Sequence, residues 1–258
     1  MPSRGEGMLY VVGTGPGIPQ QMTGRAVQAI SDSDCVIGNA QYLDAICDLL
    51  TGKQVIRSAM GQEIDRARQA IDLARDRTVS LVSGGDPGVY GMAALVIEVL
   101  EHENAPVRLE IVPGVTAANA AASLLGSPLS GDFIVLSLSD LLTPIDVIEE
   151  RLDMAFAMGI PVVLYNPKSK GRPHHFARAL EIALRHLPPG TPVAVVRNAY
   201  REGEEHEVVT LSEALLLDDL VDMHSTVFVG GRESRICTLE GGAKGIVTPR
   251  GYHRKYVY

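Results

Sequence analysis

The sequence predicts an α/β protein built on a largely parallel sheet, and three observations support this. Short apolar runs alternate along the chain with segments of helical periodicity, as in βαβ units. Of the 258 residues, 46% are hydrophobic, which is enough for packed cores. The turn-rich segment Ser-Pro-Leu-Ser-Gly-Asp at 127–132 interrupts the alternation and predicts a linker. We therefore expect two α/β domains, residues 1–126 and 132–258.

The first half of the chain carries five predicted strands with helices between them. Leu9–Val12 is a short apolar run that ends in glycine, and Thr23 is placed to cap the following helix. Ile64, Ala67 and Ile71 recur at spacings of three and four, which predicts an amphipathic helix. The predicted strands are 9–12, 35–37, 54–57, 78–82 and 108–112, and the predicted helices are 24–31, 41–50, 63–75, 91–100 and 116–125.

Beyond the expected linker the alternation resumes. The predicted strands are 133–138, 161–165, 192–197, 207–211 and 225–229, and the predicted helices are 144–157 and 174–186. The strand at 207–211 has an exposed pattern, and 225–229 is expected to be the last core strand. The segment from Thr248 onward is basic and aromatic and carries no predicted element.

Charge and composition exclude several classes of function. The formal net charge is −8, which argues against nucleic-acid binding, so cations that meet an anionic substrate would have to be local. Cys35, Cys47 and Cys237 are too widely spaced for a metal site, and we expect no metal. No window approaches the roughly 20 apolar residues that a membrane span requires. We therefore expect a cytoplasmic protein with no membrane partner.

Three glycine loops follow apolar runs in the first predicted domain. They are Gly-Thr-Gly-Pro-Gly at 13–17, Gly-Gly-Asp-Pro-Gly at 84–88, and Pro-Gly-Val-Thr-Ala at 113–117. Glycine has no Cβ, so the main chain of such a loop can approach a ligand closely. Loops that leave neighbouring parallel strands at the same edge form one crevice. We expect these three loops to do so.

The first loop does not fit the common nucleotide-binding motifs. Ile18 stands where the dinucleotide fingerprint requires its third glycine. Gly52-Lys53 is followed by Gln54, whereas a Walker loop requires Ser or Thr at that position. The loops therefore favour neither a dinucleotide nor a nucleoside triphosphate.

The order of the motifs resembles the tetrapyrrole methyltransferases, which use S-adenosylmethionine. The shared pattern is G-x-G-P-G followed by Met22-Thr23, then G-G-D-P, then P-G-V-T-A, and the resemblance covers nearly the whole chain. Three further segments, at 136–144, 164–172 and 248–252, are similar to the precorrin-3B C17-methyltransferases of cobalamin biosynthesis. One departure is Asn39, because relatives that methylate uroporphyrinogen carry an aspartate there.

The resemblance implies two α/β domains, a mixed second sheet, a cofactor in the cleft between the domains, and a homodimer. It implies methyl transfer from S-adenosylmethionine to C17 of precorrin-3B with ring contraction to precorrin-4, and S-adenosylhomocysteine as product. Transient contacts with neighbouring pathway enzymes are also expected. The positions implied to bind the cofactor are Pro16, Gly84, Gly85, Asp86, Val89, Thr116, Ala117, Asn166 and Ala194.

Several polar and aromatic residues are candidates for substrate binding or proton transfer. The substrate-binding candidates are Asn39, Tyr42, Tyr90, Arg172 and Arg197, and the catalytic candidates are Ser137 and Asp140. The tyrosines, the arginines and Asp140 have structural alternatives, which are core packing, a solvated basic loop, and a turn or cap, respectively. Asp86 equally suits an Asx-turn, and Thr116 a helix cap. The His174-His175 pair is interpreted as the polar start of a helix.

Other functions remain open at this point. The same chemistry on cobalt-precorrin-3, or on another precorrin, would use the same fold and cofactor. A tetrapyrrole carrier that binds the macrocycle without turnover belongs to a different class, although three intact loops argue against it. A nicotinamide dehydrogenase is disfavoured by Ile18.

Overall fold

The computed structural model describes residues 7–257, which form two compact units that divide between Ala117 and Ala118. The first unit has five strands, β1 Met8–Gly13, β2 Cys35–Asn39, β3 Gln54–Ser58, β4 Thr78–Ser83 and β5 Arg108–Val112. Its helices are α1 Gly24–Asp32, α2 Ala40–Ala45, α3 Glu63–Leu73 and α4 Ala93–Glu103. The helix α5, Ala117–Leu124, begins at the boundary.

The first sheet has the strand order β3-β2-β4-β1-β5, and its pairings are parallel. Both faces are covered, as expected for a parallel sheet. Leu9 and Val11 of β1 point into one buried cluster, whereas Tyr10 and Val12 point into the other. The near-continuous apolar strands of the sequence therefore reflect burial on two faces. The mostly parallel first sheet is confirmed.

The second unit contains a mixed five-stranded sheet of order β10-β9-β11-β8-β7. Its strands are β7 Ile134–Ser137, β8 Val162–Tyr165, β9 Pro192–Arg197, β10 Glu205–Thr210 and β11 Ser225–Val229, with helices α6 Ile145–Met158 and α7 His175–Leu184. Strands β7 and β8 are parallel, and the other pairings are antiparallel. The exposed strand predicted near 207–211 is β10, at the edge of the sheet. The mixed second sheet is confirmed.

A small third sheet was not predicted. Its strands are β6 Gly126–Ser127, β12 Arg235–Thr238 and β13 Lys244–Val247, in the order β12-β13-β6. Ser127 pairs with Val247, and its carbonyl accepts a hydrogen bond from Thr248 N at 3.0 Å. The start of the expected linker at 127–132 is therefore a strand within the second unit. The unit boundary falls earlier, at Ala117 and Ala118.

The helix predicted over 41–50 is interrupted. It consists of α2 followed by a 3₁₀ turn at Cys47–Leu50, and Ile46 between them has φ −119° and ψ 22°. Ile46, Leu43 and Leu50 are all buried in one cluster, so the apolar face of the predicted helix is kept across the break. Within the described range 7–257, no helix combines the length and apolar character needed to cross a membrane.

Candidate functional site

The three glycine loops meet in the first unit because they leave three adjacent strands. The first loop follows β1, the second follows β4 and the third follows β5, and the sheet order places β1 between the other two. Gly15 and Gly85 exchange two backbone hydrogen bonds, N to O, of 3.0 and 2.8 Å. The predicted convergence of the first two loops is thus a direct main-chain contact at the carboxyl edge of the sheet.

The third loop packs against the other two through main-chain atoms. A Cβ on Gly114 would lie 2.2 Å from the carbonyl oxygen of Gly85, and a Cβ on Gly13 would lie 2.6 Å from Gly114 N. Both distances are far below van der Waals contact. Glycine is therefore required at both positions for the three loops to come together.

Asp86 ties the second loop to the third. Its Oδ1 accepts a hydrogen bond from Gly88 N at 2.8 Å, and its Oδ2 accepts one from Gly114 N at 3.0 Å. The first bond forms the Asx-turn that the sequence left open. Since both carboxylate oxygens hold the main chain, Asp86 organises the loops.

A Cβ at Gly85 would make ordinary van der Waals contact with the third loop. Gly85 has φ +68°, and a Cβ placed there would come no closer than 3.7 Å to Ala117 N and 3.8 Å to Thr116 Cα. Its neighbour Gly84 differs, because a Cβ there would lie 2.6 Å from the ring of Tyr42. The second loop thus has one glycine where a Cβ would clash with a side chain and one where a Cβ would fit against the third loop without a clash.

The remaining candidates of the first unit lie around these loops with different exposure. Pro16 is buried, whereas Val89 is half-buried and its N–H is bonded to the Asp86 carbonyl at 3.3 Å. Asn39 is buried, and its side chain caps α2 by accepting from Gln41 N at 2.9 Å. That bond gives Asn39 a structural role. Tyr90 is 59% exposed and has φ +53°, a backbone conformation uncommon for an aromatic residue.

A second polar cluster lies in the second unit, where β7 and β8 end. Ser137 Oγ accepts hydrogen bonds from Asn166 Nδ2 at 3.0 Å and from Ser139 N at 3.2 Å. Ser139 Oγ in turn accepts one from Arg172 Nη1 at 3.1 Å. In the part of the chain that the structure describes, Arg172 Nε is buried without an acceptor. The cluster therefore brings together Ser137, Asn166 and Arg172.

His175 belongs to this cluster, although the sequence interpretation placed it only at a helix start. Its Nδ1 lies 2.9 Å from the carbonyl oxygen of Leu138, and its Nε2 lies 3.7 Å from Asp140 Oδ2. A carbonyl oxygen only accepts, so Nδ1 carries the proton and Nε2 of the neutral ring is left as an acceptor. The available signal was a strand end followed by Asp140, together with a histidine at the start of a later helix.

Two predicted site residues, Arg197 and Ala194, already have partners within the second unit. Arg197 Nε lies 3.1 Å from Asp222 Oδ2, so a carboxylate already balances its charge. Ala194 is completely buried in a cluster with Phe228 and Val208, which encloses its side chain within the protein's own core. Lys168, which precedes Arg172 in the same loop, is likewise paired with Asp218. Arg172 is thus the better placed of the two arginine candidates to meet an anion.

Among residues 7–257, no group of three or more His, Cys, Asp or Glu side chains is placed to hold a metal ion. Burial raises the pKa of the Cys35 thiol, which disfavours its thiolate. Cys47 is exposed and unpaired.

Residues 8–215 match the family of Tetrapyrrole (Corrin/Porphyrin) Methylases, and the chain belongs to this family. It is 42% identical to the probable cobalt-factor III C(17)-methyltransferase of Salmonella typhimurium, over 95% of this chain and 99% of that protein. It is 41% identical to a precorrin-3B C(17)-methyltransferase of a Sinorhizobium species, over 95% of this chain and 97% of that protein.

The fold is also similar to a solved structure. The crystal structure of the methyltransferase CobJ superposes with a TM-score of 0.86 and 34% sequence identity, over 95% of this chain and 100% of that one. Some relatives are longer, because the chain spans only 55% and 46% of two others that are 45% and 41% identical to it. The resemblance to tetrapyrrole methyltransferases is confirmed.

Proposed function

We propose that the chain is an S-adenosylmethionine-dependent C-methyltransferase that methylates C17 of precorrin-3B, with ring contraction to precorrin-4, in corrin biosynthesis. The observation that carries the proposal is the meeting of three glycine loops at the carboxyl edge of β4, β1 and β5 in a tetrapyrrole methylase. The names of relatives that match over nearly their whole length point to the same position on the macrocycle.

The loop residues fit the proposed cofactor. A Cβ on Gly85 would lie within van der Waals contact of Thr116 and Ala117, and its absence lets the main chain of both loops approach a ligand. We assign cofactor contact to the loop positions 16, 84–86, 89, 116 and 117, with Asp86 acting through the loop geometry. S-adenosylmethionine supplies a methyl group on a positively charged sulfur. The loops contribute alignment of donor and acceptor and exclusion of water.

The second polar cluster fits the proton movement that ring contraction requires. The Leu138 carbonyl fixes the tautomer of His175, which leaves Nε2 able to take a proton. Asp140, 3.7 Å away, would stabilise the imidazolium that forms. Ser137 and Asn166 hold each other in place and present an amide and a hydroxyl at the same strand ends. We assign proton transfer to His175 with Asp140, and substrate hydrogen bonding to Ser137 and Asn166.

Arg172 is assigned to a carboxylate of the substrate. The Ser169 carbonyl accepts from Arg172 N at 3.0 Å, which closes a tight turn, and Nη1 is held by Ser139. A guanidinium fixed in this way loses little further side-chain entropy when it binds an anion.

We further propose a cytoplasmic homodimer that meets neighbouring pathway enzymes transiently. Analytical ultracentrifugation of the purified protein tests the dimer.

The assay is incubation of the purified protein with methyl-labelled S-adenosylmethionine and precorrin-3B, followed by chromatography and mass spectrometry. We expect S-adenosylhomocysteine and a labelled, ring-contracted product in equal amounts. Binding of the tetrapyrrole without consumption of the donor would instead indicate a carrier.

A second candidate acceptor is the cobalt-containing macrocycle. It is favoured by the relatives at 41–44% identity that are named for cobalt-factor III. Running the same assay with cobalt-factor III in parallel decides between the two acceptors. Turnover of only one substrate shows whether the chain acts on the metal-free or the cobalt-containing macrocycle.

A further inference from the structure

A cavity of ≈ 640 Å³ lies in the second unit beside the small third sheet. Its walls come from Ser130, from β12 and the turn before it, and from the end of β13 with the segment up to Tyr252. This includes the basic and aromatic stretch from Thr248 onward, to which the proposed methyl transfer assigns no role.

The serine and threonine hydroxyl groups at the cavity form hydrogen bonds that hold its wall together. Thr248 Oγ1 donates to the carbonyl of Pro128 at 2.6 Å and lies 2.7 Å from Ser234 Oγ. Ser130 Oγ donates to the carbonyl of Thr248. These bonds fix the segment after β13 to the segment after β6, so the cavity is braced and its serine and threonine hydroxyls are already committed.

The charges of the wall leave a positive excess. The carboxylate of Glu233 is paired with Arg254. Arg235 and Arg250 also line the cavity, and neither side chain has a hydrogen bond or ion pair within the described residues. Tyr252 adds a ring that is 57% exposed, with its centroid 6.3 Å from that of Tyr256. The polar side-chain groups left to meet a ligand are therefore the two guanidinium groups and the hydroxyl of Tyr252.

We propose that this cavity is a binding site for an anion that carries two or more carboxylates. Arginine matches carboxylates in bidentate geometry, and two guanidinium groups on one braced cavity select a ligand with at least two such groups. The carboxylates could belong to the side arms of a tetrapyrrole or to a free small polycarboxylate. The proposal does not depend on methyl transfer, because it rests only on residues of the second unit.

The test measures binding of citrate and of uroporphyrin III to the full chain by calorimetry, with wild type and the double variant Arg235→Gln/Arg250→Gln. Both residues are exposed, so the variant is expected to fold, which its melting temperature checks. We expect at least about tenfold weaker binding of one or both ligands in the double variant. Weaker uroporphyrin binding alone identifies tetrapyrrole side arms as the source, and weaker citrate binding identifies a small polycarboxylate.

The matched control is Arg151→Gln, which removes an exposed arginine from α6 outside the cavity wall. It should leave both affinities unchanged. The proposal is overturned if wild type binds neither ligand, if the double variant binds both as wild type does, or if Arg151→Gln weakens binding equally.

Discussion

Substitution of Gly85 can distinguish a steric clash with a ligand from the strain that a side chain imposes on the backbone. A methyl group at Gly85 meets no atom closer than 3.7 Å, but its φ of +68° makes alanine cost about 1–2 kcal/mol of stability. Gly52 has φ +76° and open space around it, so Gly52→Ala carries a similar strain far along the chain from the loops. We expect both variants to lose similar unfolding free energy in urea.

The two variants should differ in ligand binding. We expect only Gly85→Ala to weaken S-adenosylmethionine binding, by at least about tenfold, because its methyl group enters the proposed cofactor volume. Calorimetric titration measures this difference. Equal affinities in Gly85→Ala and Gly52→Ala would remove the second loop from the cofactor site.

His175 can be substituted so that one of its two interactions is kept and the other is lost. In His175→Asn the amide N–H can still donate to the Leu138 carbonyl, as Nδ1 does, but the acceptor at Nε2 is gone. We expect turnover to fall about 100-fold while the Kd for S-adenosylmethionine stays unchanged. The neighbouring exposed His174, changed to Asn, should keep wild-type turnover. Full activity in His175→Asn would show that the proton is taken by another group.

An ion pair joins α1 to β5, beside the apolar contacts between these two elements. Arg25 and Glu110 form two hydrogen bonds of 2.6 Å, and Arg25 also lies 5.0 Å from the ring centroid of Tyr10. The hydrogen bond from Arg25 holds the pKa of Glu110 below its usual range. Both side chains are more than one-third exposed, so solvent screening limits the contribution to about 0.5–1 kcal/mol.

This ion pair predicts a pH dependence of stability. A lowered pKa in the folded state means that the stabilisation is complete above the unfolded value, about 4.3 for a glutamate, and is lost as pH falls through the folded pKa. We expect Glu110→Gln to be less stable than wild type at pH 7, and the gap to close below about pH 4. Urea unfolding across this range measures it. Glu98→Gln, an exposed change on α4, should show no such gap.

Local sequence signals predicted most elements of the fold. Thr23 caps α1 as expected, accepting from Ala26 N at 3.1 Å, and its hydroxyl also bonds the Pro113 carbonyl at the third loop. Strand β6 was missed because a Gly-Ser pair carries neither alternation nor an apolar run. It exists only because β13 supplies the pairing partner.

The net charge of the protein predicts how an anionic substrate arrives. A charge of −8 repels a polycarboxylate tetrapyrrole at long range, even if local arginines bind it on contact. Raising the ionic strength from about 10 to about 150 mM shortens the Debye length from about 30 to about 8 Å. We expect the association rate constant to rise by about twofold or more, measured by stopped-flow fluorescence. A falling rate would mean that local cations dominate the encounter.

The strands, the glycine loops and the family resemblance could be read from the chain, because they depend on neighbouring residues. The chain alone did not show which loops touch or which charges are already balanced. The order β4-β1-β5 brings Asp86 to Gly114, and folding pairs Arg197 with Asp222 while His175 reaches Asp140. Such contacts join residues far apart in sequence, and no local periodicity encodes them. They arise only when the packed sheets set the distances.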